Sequence, residues 1–98
     1  MKKYHLTNKA VEDLEKIWSY TSENWSESQA DVYYRDLIAA IQEIAKRPMY
    51  LDRKYDEILL GLYCHKCRKH LIFYHLVDDG IEVIRILHER MDISSKFS

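Results

Sequence analysis

Between Thr7 and Trp25 the residues Ala10, Leu14, Ile17, Trp18, Thr21 and Trp25 recur every three or four positions, a spacing that gathers them on one face of an amphipathic helix. Thr7 or Asn8 can cap its start. Ser26-Glu27-Ser28-Gln29 opens a second helix, because a serine hydroxyl and a glutamine three residues on can satisfy two orphan amides in a capping box. Its stripe runs through Ala30, Tyr33, Tyr34, Leu37, Ile41, Ile44 and Ala45. Lys46 and Arg47 then place positive charge at the negative end of the helix dipole, and Pro48 stops it. With almost no residues between them, the two helices are expected to form an antiparallel hairpin that buries Trp18 against Tyr34 and Leu37.

After Pro48 the period becomes extended, with strands expected at Ile58 to Leu62, Lys69 to Val77 and Ile81 to Leu87. Asp78-Asp79-Gly80 supplies a tight turn that makes the last two a hairpin. In the middle run Leu71, Phe73, His75 and Val77 point one way and His70, Ile72, Tyr74 and Leu76 the other, so both faces are largely apolar and the strand is central. A short strand, Lys3 to Leu6, precedes the helices. The expected fold is α+β: an N-terminal strand, an antiparallel helix hairpin, then a three-stranded antiparallel meander completing one sheet.

Ninety-eight residues, 47% apolar and 32% charged, fit a single domain spanning residues 1–98. The composition excludes disorder and low complexity. Fifteen basic against sixteen acidic side chains leave a charge of -1, which gives no global field for a polyanion, so no direct nucleic-acid binding is expected. No run is long enough to span a membrane and the start lacks a secretory signal, so a cytoplasmic protein is expected. Cys64 and Cys67 are then reduced thiols.

Cys64-His65-Lys66-Cys67 has a gap that lets two thiolates reach one zinc ion, but the other two ligands are missing, so no metal or other cofactor is assigned and the pair is expected to pack as small apolar side chains. His70 and His75 lie on opposite faces of their strand and cannot share a site from within it. No Gly-rich phosphate loop or Ser-His-Asp order is present.

The element order resembles the ParE branch of the RelE/ParE toxin superfamily. So do Arg68-Lys69-His70-Leu71-Ile72-Phe73-Tyr74-His75, the run Ile84-Arg85-Ile86-Leu87-His88-Glu89-Arg90-Met91-Asp92, and the helix pattern Ala10, Asp13, Leu14, Ile17, Tyr20. The resemblance covers nearly the whole chain. It implies the toxin of a type II toxin-antitoxin module that inhibits DNA gyrase by binding, without being an enzyme, and forms a hetero-oligomer with a ParD-like antitoxin. RelE-type relatives instead cut messenger RNA on the ribosome. Matching the strand cores places their two arginines at Leu71 and Met91 and their terminal tyrosine near Phe97, and none of these side chains can do that chemistry. The rivals are an endoribonuclease using His88, Arg90 and Lys69 in their place, and a degenerate toxin that only binds antitoxin.

Candidate contact residues follow. From Leu59 to Val77 there is no acidic residue, while Lys66, Arg68 and Lys69 precede His70. This patch is either a contact surface for an acidic partner or a solvated turn. Arg85, His88, Arg90 and Met91 lead into a tail, Ile93 to Ser98, expected to be exposed. They either serve toxicity and antitoxin contact or belong to the fold, with Arg85 pairing a carboxylate such as Asp13 or Glu82. Trp18, Tyr20, Trp25 and Tyr33 exceed what a two-helix layer can enclose, so Trp25 and Tyr33 are candidates for a partner groove.

Overall fold

Thr7 and Ser26 set the two helix starts by accepting the Ala10 and Gln29 amides through their hydroxyls at 3.1 and 3.0 Å. The computed structural model of the chain describes residues 3–49 and 52–97. Strand β1 (Lys3–Leu6) leads into α1 (Asn8–Asn24) and α2 (Glu27–Lys46). Then come β2 (Arg53–Lys54), β3 (Tyr63–Cys67), β4 (His70–Val77), β5 (Gly80–His88) and a short α3 (Ile93–Lys96). Among the described residues only the serine half of the expected capping box forms, and Gln29 lines a groove described below.

The sheet runs β1-β5-β4-β3-β2, with β4 at its centre. It is mixed: β1 lies parallel to β5 and the remaining pairs are antiparallel. A parallel neighbour needs a crossover, and the helix hairpin supplies it. Between Phe73/Arg85 and Tyr74/Val83 the β4–β5 register shifts, leaving Ile84 without a cross-strand partner.

Each sheet face has its own core. The helices bury Ala10, Leu14, Leu37, Ile41, Ile44 and Ala45 against Ile72, Tyr74, Ile81, Val83 and Ile86. Leu37 is fully buried as expected, but Tyr34 points outward at 40% exposure, and Trp18 is half-buried with its indole N–H donating to Asp31 at 3.0 Å. On the opposite face Leu62, Cys64, Phe73 and Leu87 form a second cluster with Tyr55, Ile58, Leu71, Ile84, Ile93 and Phe97.

That second cluster corrects two expectations. Ile58 to Leu62 is a series of turns, not a strand: the Tyr55 carbonyl accepts both the Ile58 and Leu59 amides, and Ile58 and Leu62 are apolar because they plug this face. The strand lies further on, at Tyr63–Cys67, with β2 beside it. The tail is not a free arm either, for Ile93 and Phe97 pack beneath the sheet; Ser98 lies outside the described residues.

Candidate partner-binding groove

Successive strand residues face opposite ways, so His70 and His88, directly paired across β4 and β5, both point to the helix side. There, where the start of β4 and the end of β5 meet α1 and α2, a groove of about 1110 Å³ opens. Ile17, Tyr20, Thr21 and Trp25 line it from the α1 side, Gln29 and Tyr33 from α2, and Arg68, Lys69, His70, Ile86, His88, Arg90 and Met91 from the sheet. Trp25 and Tyr20 are 76% and 67% exposed, so two large rings stand in solvent beside the groove without a covering layer.

A two-residue turn, Arg68-Lys69, links β3 to β4. Arg68 adopts a left-handed φ of 56° there. Its guanidinium is fixed by Asp36 at 2.6 Å and lies 5.1 Å from the centre of the Tyr33 ring. The Lys69 amide donates to the Tyr33 hydroxyl at 3.3 Å, and that hydroxyl donates to His70 Nδ1 at 2.6 Å. The Arg90 amide donates to His88 Nδ1 at 3.1 Å. Accepting at Nδ1 leaves Nε2 as the nitrogen that bears a proton in each ring.

Burial, helped by the neighbouring His88, pushes the His70 imidazolium down to about 4, so this ring is neutral near pH 7. Burial also raises the Tyr33 phenol above its ordinary value, against the opposing Lys69 amide. Fixed positive charge at the groove comes from lysine and arginine. The arrangement offers apolar seats between cations, suited to a peptide segment.

Eight of the ten contact candidates thus meet in one place: Trp25, Tyr33, Arg68, Lys69, His70, His88, Arg90 and Met91. Lys66 lies outside, paired with Glu89 at 3.5 Å, and Arg85 is held by Asp13 at 2.8 Å. Of the three positions compared with RelE-type chemistry only Met91 lines the groove; Leu71 and Phe97 belong to the opposite face. Lys16, Ile17, Thr21, Gln29 and Ile86 also line it. Nothing local in the sequence marked them, since their role depends on how helix and sheet are juxtaposed.

Cys64 and Cys67 pack on opposite faces of the sheet, so they cannot hold one ion together. Burial pushes the Cys64 thiol up to about 12. Among the described residues no group of three or more His, Cys, Asp or Glu side chains is placed to hold a metal ion.

The family model for the ParE toxin of the type II toxin-antitoxin system, parDE, matches residues 4–93. The chain belongs to this family. It is 38% identical over 92 residues to Toxin ParE1 of Mycobacterium tuberculosis, covering 93% of each, and 38% identical over 92 residues to Toxin ParE1 of Caulobacter vibrioides, covering 94% of each. Toxin ParE of Escherichia coli is 30% identical over 101 residues, with 100% of this chain and 95% of that protein covered. Among solved structures, a chromosomal ParDE toxin-antitoxin system from P. aeruginosa superposes with a TM-score of 0.75 at 14% identity, covering 90% of this chain and 96% of that one. A YoeB-YefM complex from Staphylococcus aureus gives 0.58 at 16% identity, covering 90% and 97%. These two likenesses show the fold, and the ParE family membership rests on the sequence matches. No helix among the described residues is long and apolar enough to cross a membrane.

Proposed function

We propose that this ParE-family toxin inhibits DNA gyrase by binding it in the cytoplasm, and that a cognate antitoxin neutralises it by occupying the groove. Family membership over residues 4–93 carries the gyrase reading. The groove with its uncovered Trp25 and Tyr20 supports a protein ligand, because exposed rings rimmed by cations gain most from burial against another chain. A binding role also suits His70, which is hydrogen bonded to Tyr33 and neutral at working pH. In a supercoiling assay, purified toxin should stop gyrase or accumulate cleaved DNA, and antitoxin added first should prevent both. Full supercoiling at saturating toxin, with no cleaved DNA, would sink this reading.

One observation favours a second reading. Lys69, His88 and Arg90 line the same groove, a set that could bind a phosphate and exchange protons at an RNA backbone. Primer extension on translated messages should then reveal cuts that vanish in His88→Ala; intact messages throughout growth arrest remove it.

A further inference from the structure

We infer that two copies of this chain pair through their β1 edges, antiparallel and about a two-fold axis at His5, so that their two five-stranded sheets join into one. This surface is separate from the groove, to which β1 contributes no residue. It goes beyond the toxin reading above and does not depend on it.

Bonds to the rest of the sheet fix which way the β1 backbone points. The Lys3 amide donates to the Asp79 carbonyl at 2.7 Å and the Thr7 amide to the Val83 carbonyl at 3.1 Å, so Lys3, His5 and Thr7 direct their backbone groups toward β5. Residues between them face the other edge, which aims the N–H and C=O of Tyr4 and Leu6 outward. β1 is the last strand on its side, and among the described residues neither Tyr4 nor Leu6 makes a backbone hydrogen bond there. Further along the same side the open groups of β5 are covered: the Thr7 hydroxyl donates to the Ile84 carbonyl at 2.8 Å, and Asp13 accepts the Ile86 amide at 3.0 Å. At the opposite edge β2 is only Arg53 and Lys54, both exposed, and charge on so short a strand discourages pairing. β1 thus keeps a short unpaired ladder.

The side chains favour a second copy as the occupant. With His5 opposite His5, Tyr4 of each chain falls opposite Leu6 of the other as a hydrogen-bonded pair, and both outward groups of each residue are satisfied. Tyr4 and Leu6 are half-buried against the helix-side core, so their side chains meet across the seam and extend it. Lys3 and His5 lie exposed on the other face. There His5 Nε2 is 3.2 Å from Asp79 Oδ1, so the seam reads carboxylate, imidazole, imidazole, carboxylate, and each ring keeps its own acid beside it. Lys3 falls opposite Thr7 of the second copy, so no two lysines face one another. A net charge of -1 adds almost no long-range repulsion between copies.

Sedimentation equilibrium of the intact chain, free of antitoxin, should show the mass rising from 11.8 kDa toward twice that value between about 1 and 200 µM. His5→Lys sets two ammonium groups face to face and should weaken the dimer about tenfold or more. Because His5 is exposed, the melting temperature of the dilute variant should match that of the wild type. Cross-linking tests the register. With oxidised glutathione, His5→Cys should form a disulfide dimer, since directly opposed residues of a non-hydrogen-bonded pair bring their Cβ atoms within bonding reach. Lys3→Cys, which faces Thr7 of the other copy, should not, and neither should the wild type with its buried Cys64 and half-buried Cys67. A chain that stays monomeric at about 200 µM, a dimer indifferent to His5→Lys, or equal cross-linking by Lys3→Cys and His5→Cys each overturns the inference. So does a monomeric toxin whose His5→Lys variant loses antitoxin affinity, which would give the edge to an antitoxin strand. None of these readouts depends on gyrase inhibition, so failure of the toxin mechanism is seen separately.

Discussion

Asp13 on α1 holds Arg85 on β5 by both oxygens, Nε to Oδ2 at 2.8 Å and Nη2 to Oδ1 at 2.9 Å, and Oδ2 also accepts the Ile86 amide at 3.0 Å. The reason lies in the sheet. β1 stops pairing at Leu6 opposite Val83, so the rest of β5 has no strand on that side, and the Asp13 carboxylate takes the place of a missing backbone acceptor. Arg85 Nη1 donates onward to the Lys96 carbonyl at 3.2 Å, which joins α1, β5 and α3. Hydrogen bonding to Asp13 accordingly raises the Arg85 pKa above its ordinary value. The geometry gives Arg85 the pairing with Asp13 that the sequence offered as its structural reading.

Removing one member of this pair strands the other. Arg85→Ala leaves a carboxylate that is only 7% exposed without its counter-charge, and should cost about 3 kcal/mol. Asp13→Asn keeps an oxygen for the Ile86 amide and should cost less. Urea denaturation midpoints compare the two; equal, negligible shifts would contradict the assignment.

Gly80 ends the Asp78-Asp79 turn with φ at 153°, directly opposite Lys3 in the parallel ladder. A Cβ there would overlap the Lys3 backbone, lying 2.7 Å from its nitrogen and 2.8 Å from its carbonyl carbon. Gly80→Ala should therefore push β1 away and cost about 2 kcal/mol or more. Amide exchange should report it, with Lys3 to Leu6 losing protection before the β4–β5 hairpin does.

The parts of the fold that were legible are those set by local chemistry. Thr7, Ser26, Pro48 and Asp78-Asp79-Gly80 act on their immediate neighbours, so helix ends and hairpin turn can be read directly. Ile58 to Leu62 misled because an apolar run records burial and not backbone shape, and here burial comes from loop turns under the sheet. Phe97 was invisible as a core residue for the same reason. The candidate residues were found by type and charge. Their meeting in one groove depends on a crossover that puts residues 17–33 beside 68–70 and 86–91, which no periodicity encodes.

Phe97 packs edge-on against Phe73, with ring centres 5.2 Å apart, while the Lys96 carbonyl is tied to Arg85. Phe97→Ala should lower stability by about 1–2 kcal/mol and leave the groove intact, since neither ring lines it. The check is paired: a lower melting temperature with antitoxin affinity unchanged. Loss of antitoxin binding in a fully folded Phe97→Ala protein would instead give the tail a contact role.

His70 makes stability depend on pH. Its pKa falls from 6.5 to about 4, chiefly through burial, so below pH 6.5 the unfolded chain takes up a proton that the folded chain refuses. Its stabilising contribution is complete above pH 6.5, and is lost progressively as pH falls to about 4, where the folded ring also protonates. Allowing for its partial exposure, the loss should reach about 2 kcal/mol. Urea midpoints of the wild type should fall across this window more steeply than those of His70→Gln. NMR titration of the imidazole carbons should place the folded transition near the lower limit, and a ring titrating at 6.5 in the folded protein would show that the Tyr33–His70–His88 arrangement does not exclude charge.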